Sequence, residues 1–332
     1  MIQTIPSIGK IRGFTCTANP AGVFSILAFD HRQSFVKMLN PGQVGGQEYP
    51  AIVAAKTQIV RLLAPHASAV LLDPVYGAAQ SVAGGALPGS SGLIIALEET
   101  GYTGSNTARE SAILPGWSVQ KTKRMGADAI KLLIYYHPEA GSTTARQEAL
   151  IEQVIADCHS EDILLFLEIV TYSPYPGQEK SSPEFAISLP DLLPKIASRL
   201  GVLGPDVLKL EFPVNIHKEP DETRWLEACQ AVSQASPCPW ALLSAAANFE
   251  TFTRQVEIAC TAGASGFIAG RAVWQEAVSM PEGQRERWLT EVGAPRLESL
   301  NRIASRYARP WRDFFPNLAA SVGEDWYLHY AS

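Results

Sequence analysis

The feature that most restricts this chain is a recurrence. Eight short apolar runs, each bounded by turn residues, follow one another: FSILAFD (24–30), AVLLDPV (69–75), GLIIALE (92–98), DAIKLLIYY (128–136), DILLFLEIV (162–170), DVLKLEFPV (206–214), PWALLSAA (239–246) and GFIAGRAV (266–273). A strand with one wet face alternates apolar and polar residues. These runs are almost continuously apolar, as parallel strands covered on both faces must be. Amphipathic segments of helical length separate most of them, among them PAIVAAKTQIVRLLAPHA, TTARQEALIEQVIADCHSE, LPDLLPKIASRL and FETFTRQVEIACTAGA. Strand alternating with helix means a parallel sheet. With no composition break or low-complexity linker to divide it, the α/β pattern implies a single (β/α)8 TIM barrel spanning residues 1–332, in preference to an open doubly wound sheet. No GxGxxG follows the first strand, which argues against a dinucleotide site.

Composition narrows the function. With 46% hydrophobic and 18% charged residues the chain can bury a substantial core. The net charge of −6 comes with no basic run interleaved with aromatics, so no nucleic-acid partner is expected. The first twenty residues hold no continuous apolar stretch, and no segment reaches the ~18 uninterrupted apolar residues that span a bilayer. No membrane partner is expected, and the protein reads as soluble and cytoplasmic. Five scattered cysteines without CxxC spacing read as buried free thiols, and six histidines without HxH or HxxxH pairing give no metal site. Neither a metal nor a cofactor is expected.

Two connections are long. Residues 99–118 and 171–187 are polar or proline-rich and leave the carboxyl ends of the third and fifth strands, the catalytic face of such a barrel. After the eighth strand, from about residue 275 to 332, come a helical extension and an aromatic tail, WRDFFPN through DWYLHY. That tail is expected to cover the barrel or a neighbouring subunit, and a homo-oligomer is expected.

Charged residues within such strands are the informative anomaly, because ionisable groups are almost never buried unpaired. Asp30, Asp73, Glu98 and Glu168 stand toward the ends of strands one, two, three and five, and Lys131 and Lys209 lie within strands four and six. Asp73, followed by proline, reads equally well as a cap. In Val207-Leu208-Lys209-Leu210-Glu211-Phe212 the period of two sets Lys209 and Glu211 on one face and the apolar residues on the other. Lys209 and Glu211 should therefore point into the barrel, where burial and a nearby Lys131 would favour a neutral amine able to attack a carbonyl. The last two strands end in small residues, Ser244-Ala245-Ala246-Ala247 and Ala269-Gly270-Arg271, where barrels commonly bind phosphate. Small side chains let backbone N–H groups approach the oxygens, and Arg271 supplies a charged fork.

At these residues the sequence resembles the class I tagatose 1,6-bisphosphate aldolases and the related sulfofructose-phosphate aldolases. The likeness runs over almost the whole chain and is carried by AFDHR (28–32), LLDPVYG (71–77), KLLIYY (131–136), FLEIVTY (166–172), LKLEFPVN (208–215), WALLSAA and SGFIAGRAVW (265–274). By that resemblance Lys209 matches the Schiff-base lysine, Lys131 the second lysine, and Glu168 the carboxylate beside the reacting carbons. Asp30 and Arg32 match polar residues near the substrate, while Ser244 and Arg271 match the phosphate clamp; the backbone at Ala245 and Gly270 is the small-residue part of the same expected site. The usual Asp-Gln-Arg pattern is broken by His31.

The resemblance implies metal-independent cleavage of a small sugar phosphate, a ketose 1-phosphate, between C3 and C4, giving dihydroxyacetone phosphate and an aldehyde. Tagatose or fructose 1,6-bisphosphate would give glyceraldehyde 3-phosphate; a 6-deoxy-6-sulfofructose 1-phosphate would give sulfolactaldehyde. Arg32, Lys37 and His31 are the candidates for the second anion, and the reading leans to the bisphosphates. A sugar-phosphate-sensing regulatory barrel, or a barrel isomerase or synthase, would not need both lysines and Glu168.

Overall fold

Runs of apolar residues four to eight long, interrupted by helices, can bury both faces only by closing on themselves, and they do. The computed structural model describes residues 5–39, 48–319, 322–328 and 330. The strands are β1 (Phe24–Phe29), β2 (Ala69–Leu72), β3 (Gly92–Ala96), β4 (Thr103–Ser105), β5 (Ala108–Glu110), β6 (Ala129–Tyr136), β7 (Leu164–Thr171), β8 (Val207–Leu210), β9 (Trp240–Leu243) and β10 (Gly266–Ala269). Eight of them form a closed parallel barrel in the order β1-β10-β9-β8-β7-β6-β3-β2; β4 and β5 pair as a separate antiparallel hairpin. The helices are α1 (Ile8–Thr17), α2 (Gln33–Leu39), α3 (Tyr49–Leu63), α4 (Ala78–Ala83), α5 (Val119–Arg124), α6 (Ser142–Ser160), α7 (Pro183–Gly201), α8 (Glu222–Ala235), α9 (Phe249–Thr261), α10 (Arg271–Trp274), α11 (Glu282–Trp288) and α12 (Ala294–Tyr307). None is long and apolar enough to cross a membrane.

The period of two sorts each strand between two cores. On β8, Val207 joins the barrel interior with Phe24, Ile26, Phe166 and Ile268, while Leu208 and Leu210 meet the helical layer. Lys209 thus faces inward, as its alternation requires. The amino-terminal end of the barrel is closed by aromatics. Phe14 of α1 stacks on the fully buried Trp311 at 4.6 Å, and Phe24 meets Phe166 edge-on at 5.4 Å. At Gly13 a Cβ would lie 2.8 Å from the Asp128 carbonyl oxygen, so only glycine lets α1 come this close.

Two expectations about connections change. Residues 99–118 carry the β4–β5 hairpin, and the second connection ends early because α7 starts at Pro183, where Ser182 Oγ accepts the Phe185 N–H at 3.2 Å. The tail divides: Trp311 and Phe315 cover this barrel, whereas Trp326, Tyr327 and Leu328 are exposed. Residues 320, 321, 329, 331 and 332 of that tail lie outside the described residues. All five cysteines are free, four buried and Cys16 partly exposed.

Candidate active site

Charge collects at the other end of the barrel. Lys131 on β6 and Glu168 on β7 share the inward face, and Glu168 stands in register with Lys209 on β8. Lys131 Nζ lies 2.6 Å from Asp30 Oδ2 and 3.2 Å from Glu168 Oε2, and it also donates to Glu98. Lys209 Nζ is 2.8 Å from the same Glu168 oxygen. Glu168 therefore bridges two lysines whose side chains are only 2% and 5% exposed. Glu98 is fixed in turn by the Leu133 N–H at 3.0 Å.

Burial opposes the charged forms of Asp30, Lys131 and Glu168, and the opposite charges outweigh it. Three carboxylates, Asp30, Glu98 and Glu168, hold Lys131 well above its ordinary value. Lys131 and then Lys209 drive the Asp30 carboxyl below its usual range; Lys209 and then Lys131 do the same for Glu168, against the opposing charge of Asp30. At neutral pH the cluster holds an ammonium on Lys131 and carboxylates on Asp30 and Glu168. The sequence leads to the expectation that burial and Lys131 together favour a neutral Lys209 amine; in the structure Lys131 is met by three carboxylates, and Glu168 stands beside both amines.

Above the cluster opens a cavity of about 470 Å³, lined by Asp30, Lys131, Glu168 and Lys209 and also by Ser244, Ala245, Gly270 and Arg271. The four chemical residues and the small-residue termini thus meet in one place. Ser244 Oγ accepts the Gly270 N–H at 3.3 Å, tying the ends of β9 and β10 together. Ala245 and Ala246 both adopt left-handed backbone, φ 43° and 61°, a conformation residues with a Cβ rarely hold and one that gathers at functional sites.

The strand-one residues behave differently from their assignment. Arg32 is buried, and its Nη2 donates to the Glu98 carbonyl at 2.5 Å with the Glu98 carboxylate 4.0 Å away. It lines the cavity with its charge already engaged. His31 packs edge-on against Trp274 at 5.0 Å, and burial, aided by Arg271 and Lys56 against the pull of Asp30, pushes its imidazole down to about 4. It is neutral at physiological pH. Lys37 is exposed on α2 and lines neither cavity at this face. Asp73 closes the turn after β2 and does not cap α4, whose N-cap is Gly77: its Oδ1 accepts the Val75 and Tyr76 N–H groups at 2.9 and 2.7 Å, and it pairs with Lys56, fully sealed from solvent.

A second cavity of about 870 Å³ adjoins the first and shares Lys180, Glu211, Leu243, Ala245 and Ala246 with it. Most of its other polar residues, including Arg109, Gln178 and His217, come from loops and the β4–β5 hairpin, where no periodicity marks a residue as inward. Glu98, singled out in the sequence beside Asp30 and Glu168 as a carboxylate toward the end of an apolar strand, lines the first cavity with them.

A closed parallel barrel with paired lysines and carboxylates at its carboxyl end has the parts that amine catalysis on a carbonyl needs. The DeoC/LacD family aldolase pattern matches residues 24–276, and the chain belongs to that family. A tagatose 1,6-diphosphate aldolase 1 of Streptococcus pyogenes serotype M1 is 33% identical over 316 residues, covering 88% of this chain and 94% of the relative. A tagatose 1,6-diphosphate aldolase of Streptococcus agalactiae serotype V is 33% identical over 314 residues, with the same coverage of 88% and 94%. Among solved structures, an archaeal fructose 1,6-bisphosphate aldolase superposes with a TM-score of 0.57 at 18% identity, over 90% of this chain and 99% of that one. A fructose-bisphosphate aldolase from Slackia heliotrinireducens gives 0.61 at 15% identity, over 90% and 89%. At such identities the likeness is one of fold.

Proposed function

We propose that this aldolase works through an imine on Lys209 and cleaves a ketose 1-phosphate, tagatose or fructose 1,6-bisphosphate, into dihydroxyacetone phosphate and glyceraldehyde 3-phosphate. The observation that carries this is the chain Lys209–Glu168–Lys131, at 2.8 and 3.2 Å, on the floor of a cavity rimmed by Ser244, Gly270 and Arg271. The bisphosphate relatives at 33% identity support the substrate. Lys209 passes a proton to Glu168 and its free amine adds to the C2 carbonyl; Glu168 returns that proton to the carbinolamine hydroxyl, which leaves as water, so that the protonated imine stands beside a carboxylate again. Glu168 then takes the C4 hydroxyl proton, the C3–C4 bond breaks, and its electron pair is held as the enamine. Protonation at C3 and hydrolysis release dihydroxyacetone phosphate. Lys131 stays cationic, stabilising negative charge as it develops, and Asp30 orients hydroxyls. Ser244, the backbone at Ala245 and Gly270, and Arg271 take the 1-phosphate. The exposed Trp326, Tyr327 and Leu328 support a homo-oligomer of this cytoplasmic enzyme.

The test is borohydride reduction in the presence of dihydroxyacetone phosphate, with and without chelator, followed by peptide mapping. A chelator-insensitive adduct on Lys209, absent in Lys209→Ala, is the expected result. Folded protein that turns over substrate but yields no adduct would overturn the imine.

A further inference from the structure

If the cleaved sugar carries an anion at C6, the residues just past β1 are poorly placed to take it: the Arg32 Nη2 already donates to the Glu98 carbonyl, and His31 is neutral. The adjoining cavity offers two others. Arg109 stands on β5 with its guanidinium over the rings of Tyr102, Tyr135 and Tyr172, at 4.6, 5.8 and 5.4 Å. Its Nε donates to the Asn106 carbonyl at 3.0 Å, and no carboxylate among the described residues lies within ion-pair distance of it. A guanidinium set among three aromatic rings, with no carboxylate on its fork, is suited to a tetrahedral oxyanion.

Lys180 is the second. It lies on the rim shared by both cavities and pairs with Glu211 Oε1, while Glu211 Oε2 is held separately by the Thr171 N–H at 2.9 Å and hydroxyl at 2.6 Å. Lys180 can leave without stripping Glu211 of its other donors, and its side chain is 39% exposed. We infer that Arg109 and Lys180 form the receptor for a phosphate or sulfonate at C6 of the substrate, Lys180 exchanging Glu211 for that anion. This rests on the function proposed above and adds the determinant of its specificity. Removing a charge-assisted contact of this kind costs about 10- to 100-fold.

The experiment measures kcat/KM for three ketohexose 1-phosphates that bear phosphate, sulfonate or a hydroxyl at C6, using wild type, Arg109→Gln, Lys180→Gln, the double variant and Lys180→Arg. We expect the wild type to prefer one C6 anion over the hydroxyl, and that anion identifies the natural group. Each Gln variant should lower the preference about 10- to 100-fold, with Lys180→Arg recovering part of it. Equal losses on all three sugars, or none on any, would overturn the assignment. Trapping of dihydroxyacetone phosphate on wild-type Lys209 separates the two ideas. If the imine forms and the preference does not move, only the receptor falls; if no imine forms, both fall.

Discussion

Two buried lysines show how the number of partners decides what a charge is for. Lys56 is sealed at 0% exposure, with one carboxylate, Asp73, and its remaining donors spent on the Phe29 and His31 carbonyls at 3.1 and 2.7 Å. A lysine ammonium has three donors, so nothing is left for a ligand. Burial outweighs Asp73, and Lys56 lies below its ordinary pKa. Lys131 is as deep but has three carboxylates, and lies above its ordinary pKa. Its carboxylates also face a cavity. The first arrangement holds the end of β1 against α3; the second stores charge where a substrate can reach it.

The sharpest way to break this comparison is to neutralise one lysine in each place. Lys209→Met should abolish imine trapping and lower turnover by on the order of 10⁴-fold, because Lys131, the other amine of the cluster, is held as an ammonium by three carboxylates. Its stability should change little, since Glu168 keeps Lys131. Lys56→Met should do the reverse. It leaves Asp73 buried and unpaired, a loss of about 3–5 kcal/mol in urea unfolding, with turnover per folded molecule reduced less than tenfold. Adding Asp73→Asn, which keeps an oxygen to accept the Val75 and Tyr76 N–H groups, should restore part of that loss. A Lys56→Met protein of normal stability and no activity would place Lys56 on the wrong side of the comparison.

Legibility from sequence followed the same divide. All eight barrel strands and the inward face of Lys209 could be read because a period of two in short apolar runs is a strong signal. So could the meeting of Asp30, Lys131, Glu168 and Lys209, since charge within such strands has to converge on the interior. The pairing was hidden: alternation tells which face a side chain takes, not that Glu168 stands between two amines or that Lys56, on a helix, reaches the carbonyls behind Asp30. Arg109 and Lys180 were invisible because their positions come from a hairpin and a loop. The start of α7 at Pro183 was within reach, since Ser182-Pro183-Glu184 is a capping sequence.

His31 gives the smallest effect and the finest test of how the rim is held. Its imidazole is lowered from an ordinary 6.5 to about 4 in the folded chain, burial being the main cause. Between those values the unfolded chain binds more protons than the folded one, so stability rises with pH across the window and is lost as pH falls from 6.5 to 4. The full contribution is on the order of 3 kcal/mol. His31→Gln does not titrate and places glutamine in the Asp-Gln-Arg pattern of the related aldolases. Urea unfolding from pH 7 to pH 4 should show the variant gaining on the wild type as the pH falls, with Asp30, Glu168 and the other carboxylates largely cancelling in the difference. Parallel curves would mean that His31 is protonated without cost, and it would then return as a cation able to meet the substrate at the rim.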